Sequence, residues 1–225
     1  MTIDRDDLLN SILKSLDRIE YIKLEDIPNI DLYMDQVTTF MEKHLRSTVR
    51  YPGEDKILTK TMINNYAKNN LLPPPVKKKY SKEHVLLLIF IYYYKGILTI
   101  SDIQTLLNPL TERFFQKEGF NLGDIYTEVF GLESRHADLL KEDMKCKFQE
   151  AEDTFRDAPE GEREFLQLFS VICMLSFDVY VKKLLIEKLV DNFGAAAGEE
   201  HKEGRKQKGE KQPKGDKQPK GDKQA

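Results

Sequence analysis

The sequence predicts an all-α protein, with a small winged helix-turn-helix in its middle third, a helical region after it and a disordered tail. Three observations lead there. Apolar residues recur at three- and four-residue spacing through most of the chain, and no run of convincing length alternates with the period of a strand. Pro73, Pro74 and Pro75, followed by Lys77, Lys78, Lys79 and Tyr80, interrupt two helical patterns where a short wing fits. After Phe193 the composition shifts to Gly, Lys, Gln, Asp and Pro with near-repeats of KQPKGD, and a segment so poor in apolar residues cannot offset the entropy of ordering itself.

Leu8, Leu9, Ile12, Leu13, Leu16 and Ile19 predict an amphipathic helix over 5–19. Beyond Pro28 and Asn29, Asp31 is expected to cap a second helix to about Leu45, with Leu32, Val37, Phe40, Met41 and His44 on its inner face. Residues 46–56, with Pro52-Gly53, read as a loop. Thr59 is placed to cap a short helix carrying Met62, Ile63 and Tyr66, which ends near Asn70, a residue that tolerates the left-handed conformation. Ser81 then caps a helix to about Lys95 in which Val85 to Ile91 are all apolar, so it should be buried nearly all round, with Gly96 at its end.

Thr99 or Ser101 caps a further helix with Ile103, Leu106 and Leu107. Past Pro109 come a short amphipathic piece with Phe114 and Phe115, one long charged helix from about Leu122 to Phe155, and a break at Pro159 to Gly161. The final helix, about Glu162 to Asn192, is apolar on more than one side and needs partners on two faces. Four segments follow: 1–45, N-terminal helices packing on the core; 46–110, the winged helix-turn-helix; 111–193, a dimerisation or regulatory region; and 194–225, the disordered tail.

Charge is partitioned along the chain. Residues 45–110 carry ten basic and four acidic side chains, whereas 1–44 and 111–192 are both net acidic. A basic block inside an acidic protein suits a polyanion partner, although lysines also serve simply to solvate exposed faces. No signal peptide is read at the N-terminus. Asp178, Lys182, Lys183 and Glu187 interrupt the most apolar stretch, which argues against a membrane span. The two cysteines, Cys146 and Cys173, have no disulfide-framework or zinc spacing, and His84 and His136 stand alone. A cytoplasmic protein with no metal, no cofactor and no catalytic residues is expected, with no membrane partner.

The stretch Thr59 to Leu107 carries a resemblance. Tyr66, the exit Leu71-Leu72-Pro73-Pro74, the segment Lys78-Lys79-Tyr80-Ser81 and Gly96 fall in the order and spacing of the DNA-binding domain of the mercury-resistance-regulator (MerR) family. Asn64, Asn65 and Asn70 depart from that pattern, the wing is shorter, and the family's metal sensing and promoter untwisting are not carried over. Across about residues 5–190 the chain also resembles DUF1836, a family of uncharacterised Firmicute proteins expected to contain transcriptional regulators.

The resemblance implies a recognition helix near 59–70 and a basic wing near 73–80. The residues themselves fit those roles. Thr59, Lys60 and Thr61 lie at the positive end of a short helix, and Asn64 and Asn65 can each pair with adenine through two hydrogen bonds. Lys60, Lys68, Lys77, Lys78 and Lys79 would hold phosphates, with Tyr80 beside them, while Tyr66 reads equally as a core residue whose hydroxyl at most reaches a phosphate. The expected function is sequence-specific binding of double-stranded DNA by a homodimeric transcriptional regulator, a repressor by preference, with no effector identified. Two alternatives stay open: a protein-interaction module using the apolar helix at 162–192, and a small-molecule sensor with a pocket lined by Phe165, Phe169 and Phe177. Tyr92, Tyr93 and Tyr94 are expected to pack rather than stack on bases.

Overall fold

The computed structural model describes residues 4–17, 21–51 and 53–209, with the backbone alone at 133–135, 160 and 196–209. Among these residues the elements are α1 (Arg5–Leu16), β1 (Leu32–Tyr33), α2 (Met34–Leu45), α3 (Lys60–Lys68), β2 (Lys79–Tyr80), α4 (Lys82–Tyr94), α5 (Ile100–Phe114), α6 (Leu122–Gly131), α7 (Glu133–Glu152) and α8 (Glu160–Gly209). The chain is mostly helical, as the periodicity predicts.

Local chemistry sets most of the boundaries. Thr59 accepts a hydrogen bond from the Met62 amide at 3.1 Å and so starts α3, while Asn70, at φ 55°, ends it in the left-handed region. Ser81 starts α4, and Thr99 starts α5 through a reciprocal box in which Asp102 accepts from the Thr99 amide at 3.0 Å.

Helix α4 is the centre of the larger core: every residue from His84 to Ile91 is buried. Around it pack Val37, Met41 and Leu45 of α2, Ile63 and Tyr66 of α3, Ile103 and Leu107 of α5, and Leu122 and Tyr126 of α6. The Tyr126 hydroxyl donates to the Ile22 carbonyl at 2.5 Å, fastening the chain before β1 to this core. Tyr92, Tyr93 and Tyr94 pack against the same core, with Tyr93 meeting Tyr21 at 4.9 Å between ring centroids.

A second, smaller core forms from Met144, Phe148 and Ala151 of α7 and Val171 of α8, covered by the apolar stripe of α1. Lys147 is largely enclosed between α7 and α8 and pairs with Asp178 at 2.8 Å. Helix α8 therefore reaches both cores, since Val190, farther along it, is buried in the larger one beside α5.

Several expectations are corrected. The segment 1–45 divides: α1 joins the second core, and residues from Ile22 to Leu45 join the first. Asp31 is not the cap of α2, which begins after Tyr33, whose amide donates to Gln36 Oε1 at 2.8 Å. Helix α5 runs through Pro109, because Ile103, Leu107 and Leu110 hold one face on the core strongly enough to override the missing amide. The single helix expected over 122–155 is two, separated at Leu132; Gly131 is a poor helix former, and the two pieces serve different cores.

Helix α8 passes Asn192 and continues to Gly209, through a run of alanine, glutamate and lysine that favours helix, so the first half of the expected tail is helical. The disordered tail expected over 210–225 lies outside the described residues, as does Ile19 of the first predicted helix. The connection between α2 and α3 occupies residues 46–59, much longer than the turn of about three or four residues in a helix-turn-helix. No helix among the described residues is long and apolar enough to cross a membrane.

Candidate nucleic-acid interface

Helix α3 turns Ile63 and Tyr66, three residues apart, into the core. The same rotation leaves Thr61, Asn64, Asn65 and Lys68 exposed along the opposite face, at the spacing of one helical stripe. Thr59 caps the helix as expected, its hydroxyl accepting from the Met62 amide. Lys60 is exposed and forms an ion pair with Asp35 near the start of α2.

The wing is a tight turn. Val76 donates from its amide to the Lys79 carbonyl at 3.1 Å and receives the Lys79 amide at 2.9 Å. Lys77 and Lys78 between them have φ of 51° and 64°. Two consecutive left-handed residues define a type I′ turn, which asparagine and glycine adopt readily and lysine adopts at a cost of about 1 kcal/mol each. The outgoing strand β2 meets the incoming chain through the Val76–Lys79 bridge. It pairs antiparallel with β1, Leu32 opposite Tyr80 and Tyr33 opposite Lys79.

That register brings Lys79 Nζ to 5.2 Å from the Tyr33 ring centroid, a cation-π contact. Lys60 from α3 and Lys79 from the wing thus reach the same short segment, Tyr33 to Asp35, from two directions. Lys77 and Lys78 are exposed beyond it.

Tyr66 and Tyr80, expected among the DNA-facing groups, are corrected to core residues, 8% and 3% exposed. Burial pushes both phenols above their usual range. For Tyr66 the signal was its three-residue spacing from Ile63; for Tyr80 it was the alternation that puts Lys79 outward. Tyr80 meets the ring of His84 edge-on at 5.6 Å, and His84 meets Phe115 at 4.8 Å on its other side. His84 Nδ1 accepts from the Ser81 amide at 3.0 Å, while Nε2 is buried without a hydrogen-bond partner. Burial lowers the His84 pKa, opposed by the nearby Pro74 and Pro73 carbonyls and the Asp31 charge.

Sequence reasoning missed Tyr33 and Asp35, because their partners are remote in the chain and no local pattern announces the pairing. Lys95 was missed as well: it donates to the Ile57 carbonyl at 2.6 Å, pinning the long loop before α3, and burial lowers its pKa.

The expected aromatic pocket is also corrected. Phe165, Phe169 and Phe177 are 65%, 51% and 67% exposed, open to solvent rather than gathered around an enclosed cavity. A cleft of about 920 Å³ lies where α6 and α7 meet the chain before β1, with Tyr21, Tyr126, Phe130, Lys82 and Lys141 in its wall. Among the described residues no group of three metal-ligating side chains converges. Glu150 beside Cys146 raises the thiol pKa, the opposite of an activated thiol.

The continuous unit from the Ile22 anchor through the wing to α6 is also the part of the chain with a counterpart elsewhere. Residues 22–129 match the family described as Domain of unknown function (DUF1836). The DUF1836 match thus includes β1, both candidate contact elements, α4, α5 and most of α6. Helices α1, α7 and α8 lie outside it, so the match is shorter than the resemblance over 5–190. The chain matches no curated protein and no solved structure.

Proposed function

We propose that this protein is a sequence-specific DNA-binding transcriptional regulator of the cytoplasm, a repressor by preference, which acts as a homodimer on double-stranded DNA. The observation that carries the reading is the convergence of Lys60 and Lys79 on Tyr33 to Asp35, which makes the exposed stripe of α3 and the lysine turn neighbours around one surface.

In this reading α3 enters the major groove, Asn64 and Asn65 meet base edges, and Thr61, Lys60 and Lys68 flank them. Lys77, Lys78 and Lys79 hold phosphates in the manner of a MerR-type wing. The order α2, α3, wing, α4, α5 supports that likeness, and the long 46–59 connection departs from it. Neither the reading nor its site requires catalysis or a cofactor.

Fluorescence anisotropy of the protein against its own upstream DNA and a scrambled control, at about 50 and 200 mM salt, tests this. The expected result is preference for the upstream sequence, a salt slope reduced by about three when Lys77, Lys78 and Lys79 become alanine, and loss of the preference when Asn64 and Asn65 do. Equal weak binding to both DNAs overturns sequence reading, and no binding at either salt overturns the function.

A second reading has its own observation. The cleft near Tyr21 and Tyr126 joins the two cores, so a small molecule bound there would contact α6 and α7 together and could govern how α7 and α8 sit against the DNA-binding unit. A thermal-shift screen that finds a stabilising ligand would support it.

A further inference from the structure

Helix α8 carries a seam that steps by four and three residues: Phe165, Phe169, Ile172, Ser176, Val179, Lys183, Ile186 and Val190. That is the heptad spacing by which two helices pack along one another. Its last two positions are covered within the chain, Val190 being buried in the larger core with Ile186 packed against it. The earlier positions have no such cover. Phe165, Phe169, Ile172 and Val179 are 65%, 51%, 52% and 62% exposed, and Tyr180 and Leu184 beside them are 60% and 47% exposed. Helix α7 lies on the other side of α8, against Val171, Met174 and Leu175.

We infer that this open seam is the dimer interface and that it pairs with the same seam of a second copy, antiparallel, about a two-fold axis near Met174. The pairing sets Phe169 of one copy against Val179 of the other and Ile172 against Ser176, whose small side chain lets the helices approach. Phe165 covers the stem of Lys183.

Area and charge select this occupant. The six exposed side chains present roughly 600 Å² of apolar surface, at the upper end of what a soluble monomer exposes and most of the ~800 Å² that one side of a stable interface buries. Phe177, 67% exposed at the flank, and the exposed Cys173 supply more. Glu162 stands at one end of the seam and Lys183 at the other. An antiparallel pair brings Glu162 of each copy within a turn of Lys183 of its mate, whereas a parallel pair would set like charge on like.

The inference rests on the homodimeric reading above, but its assay contains no DNA, so a dimer that binds no operator and a monomer that does are distinct failures. Sedimentation of the full chain at about 50 μM is expected to give the dimer mass. Phe169→Glu and Ile172→Glu alter exposed side chains, so helical circular dichroism should persist while the dimer dissociation constant rises at least about 30-fold, the loss of one interface hot spot. With Cys146→Ser leaving Cys173 as the sole thiol, a short bis-maleimide should join two chains covalently, because Cys173 lies close to the two-fold axis. A monomer at 50 μM, a dimer indifferent to Phe169→Glu, or a dimer that Cys173 does not cross-link would each overturn the proposal.

Discussion

Gly194 of α8 faces Thr105 of α5 so closely that a β-carbon at position 194 would stand 2.9 Å from the Thr105 methyl. The threonine is held in place, its hydroxyl donating to the Ser101 carbonyl at 3.1 Å. In an open helix Gly→Ala gains about 1 kcal/mol. Here Gly194→Ala should gain little or lose stability, whereas in a Thr105→Ser background, which removes only the methyl, the same change should recover the gain. Denaturant unfolding of the four proteins measures the coupling, expected at about 0.5–1 kcal/mol. Additive effects would mean that α8 does not press on α5 at this point.

Replacing Lys77 and Lys78 by Asn and Gly supplies the turn with residues suited to its left-handed geometry. The double variant is expected to unfold about 1–2 kcal/mol later than the parent. Its affinity for DNA should fall and its salt slope drop by about two. Opposite signs in the two measurements would identify the turn as one whose residues serve binding rather than stability; equal losses in both would argue against that.

The Asp35 carboxylate sits beside Lys60 in the candidate interface, where phosphate would have to compete with it. Asp35→Asn should tighten binding to any DNA several-fold and steepen its salt dependence, without moving the melting temperature appreciably, since an exposed pair contributes at most about 1 kcal/mol. Anisotropy on matched and scrambled duplexes is the check, and unchanged affinity would remove Lys60 from the contact set.

Protonating His84 should weaken the fold. Its folded pKa lies below the ordinary imidazole value of about 6.5, so the folded state binds fewer protons than the unfolded one. Its contribution is fully present above about pH 6.5 and is lost as pH falls below that value, with a slope of up to about 1.4 kcal/mol per unit until the folded group protonates too. Urea unfolding at pH 7 and pH 5 should show a larger loss for the parent than for His84→Gln. Equal losses would show that His84 is not what acid attacks.

The legible features were those written in adjacent residues. Thr59, Ser81, Thr99 and Asn70 terminate helices through contacts within a few positions, and the unbroken apolar run Val85 to Ile91 announces the centre of the larger core. What escaped depends on distant partners. β1 is two residues long and exists only because β2 lies beside it. The assignment of α1 to the second core, and the division at Leu132, follow from which helix each apolar face meets, and periodicity does not say. Within the candidate site, the stripe of Asn64, Asn65 and Lys68 was readable, while the positions of Tyr66 and Tyr80 were settled by packing.

Helix α8 enters one core at Val171 and the other at Val190. A continuous hydrogen-bonded rod that passes through two separate hydrophobic assemblies couples their melting, because one assembly can come apart while the other stays closed only if the rod breaks or frays between Val171 and Val190. Amide exchange along 171–190 would therefore report which assembly opens last. Were the rod also clasped to a second molecule along its open seam, that slowest exchange would acquire a dependence on protein concentration.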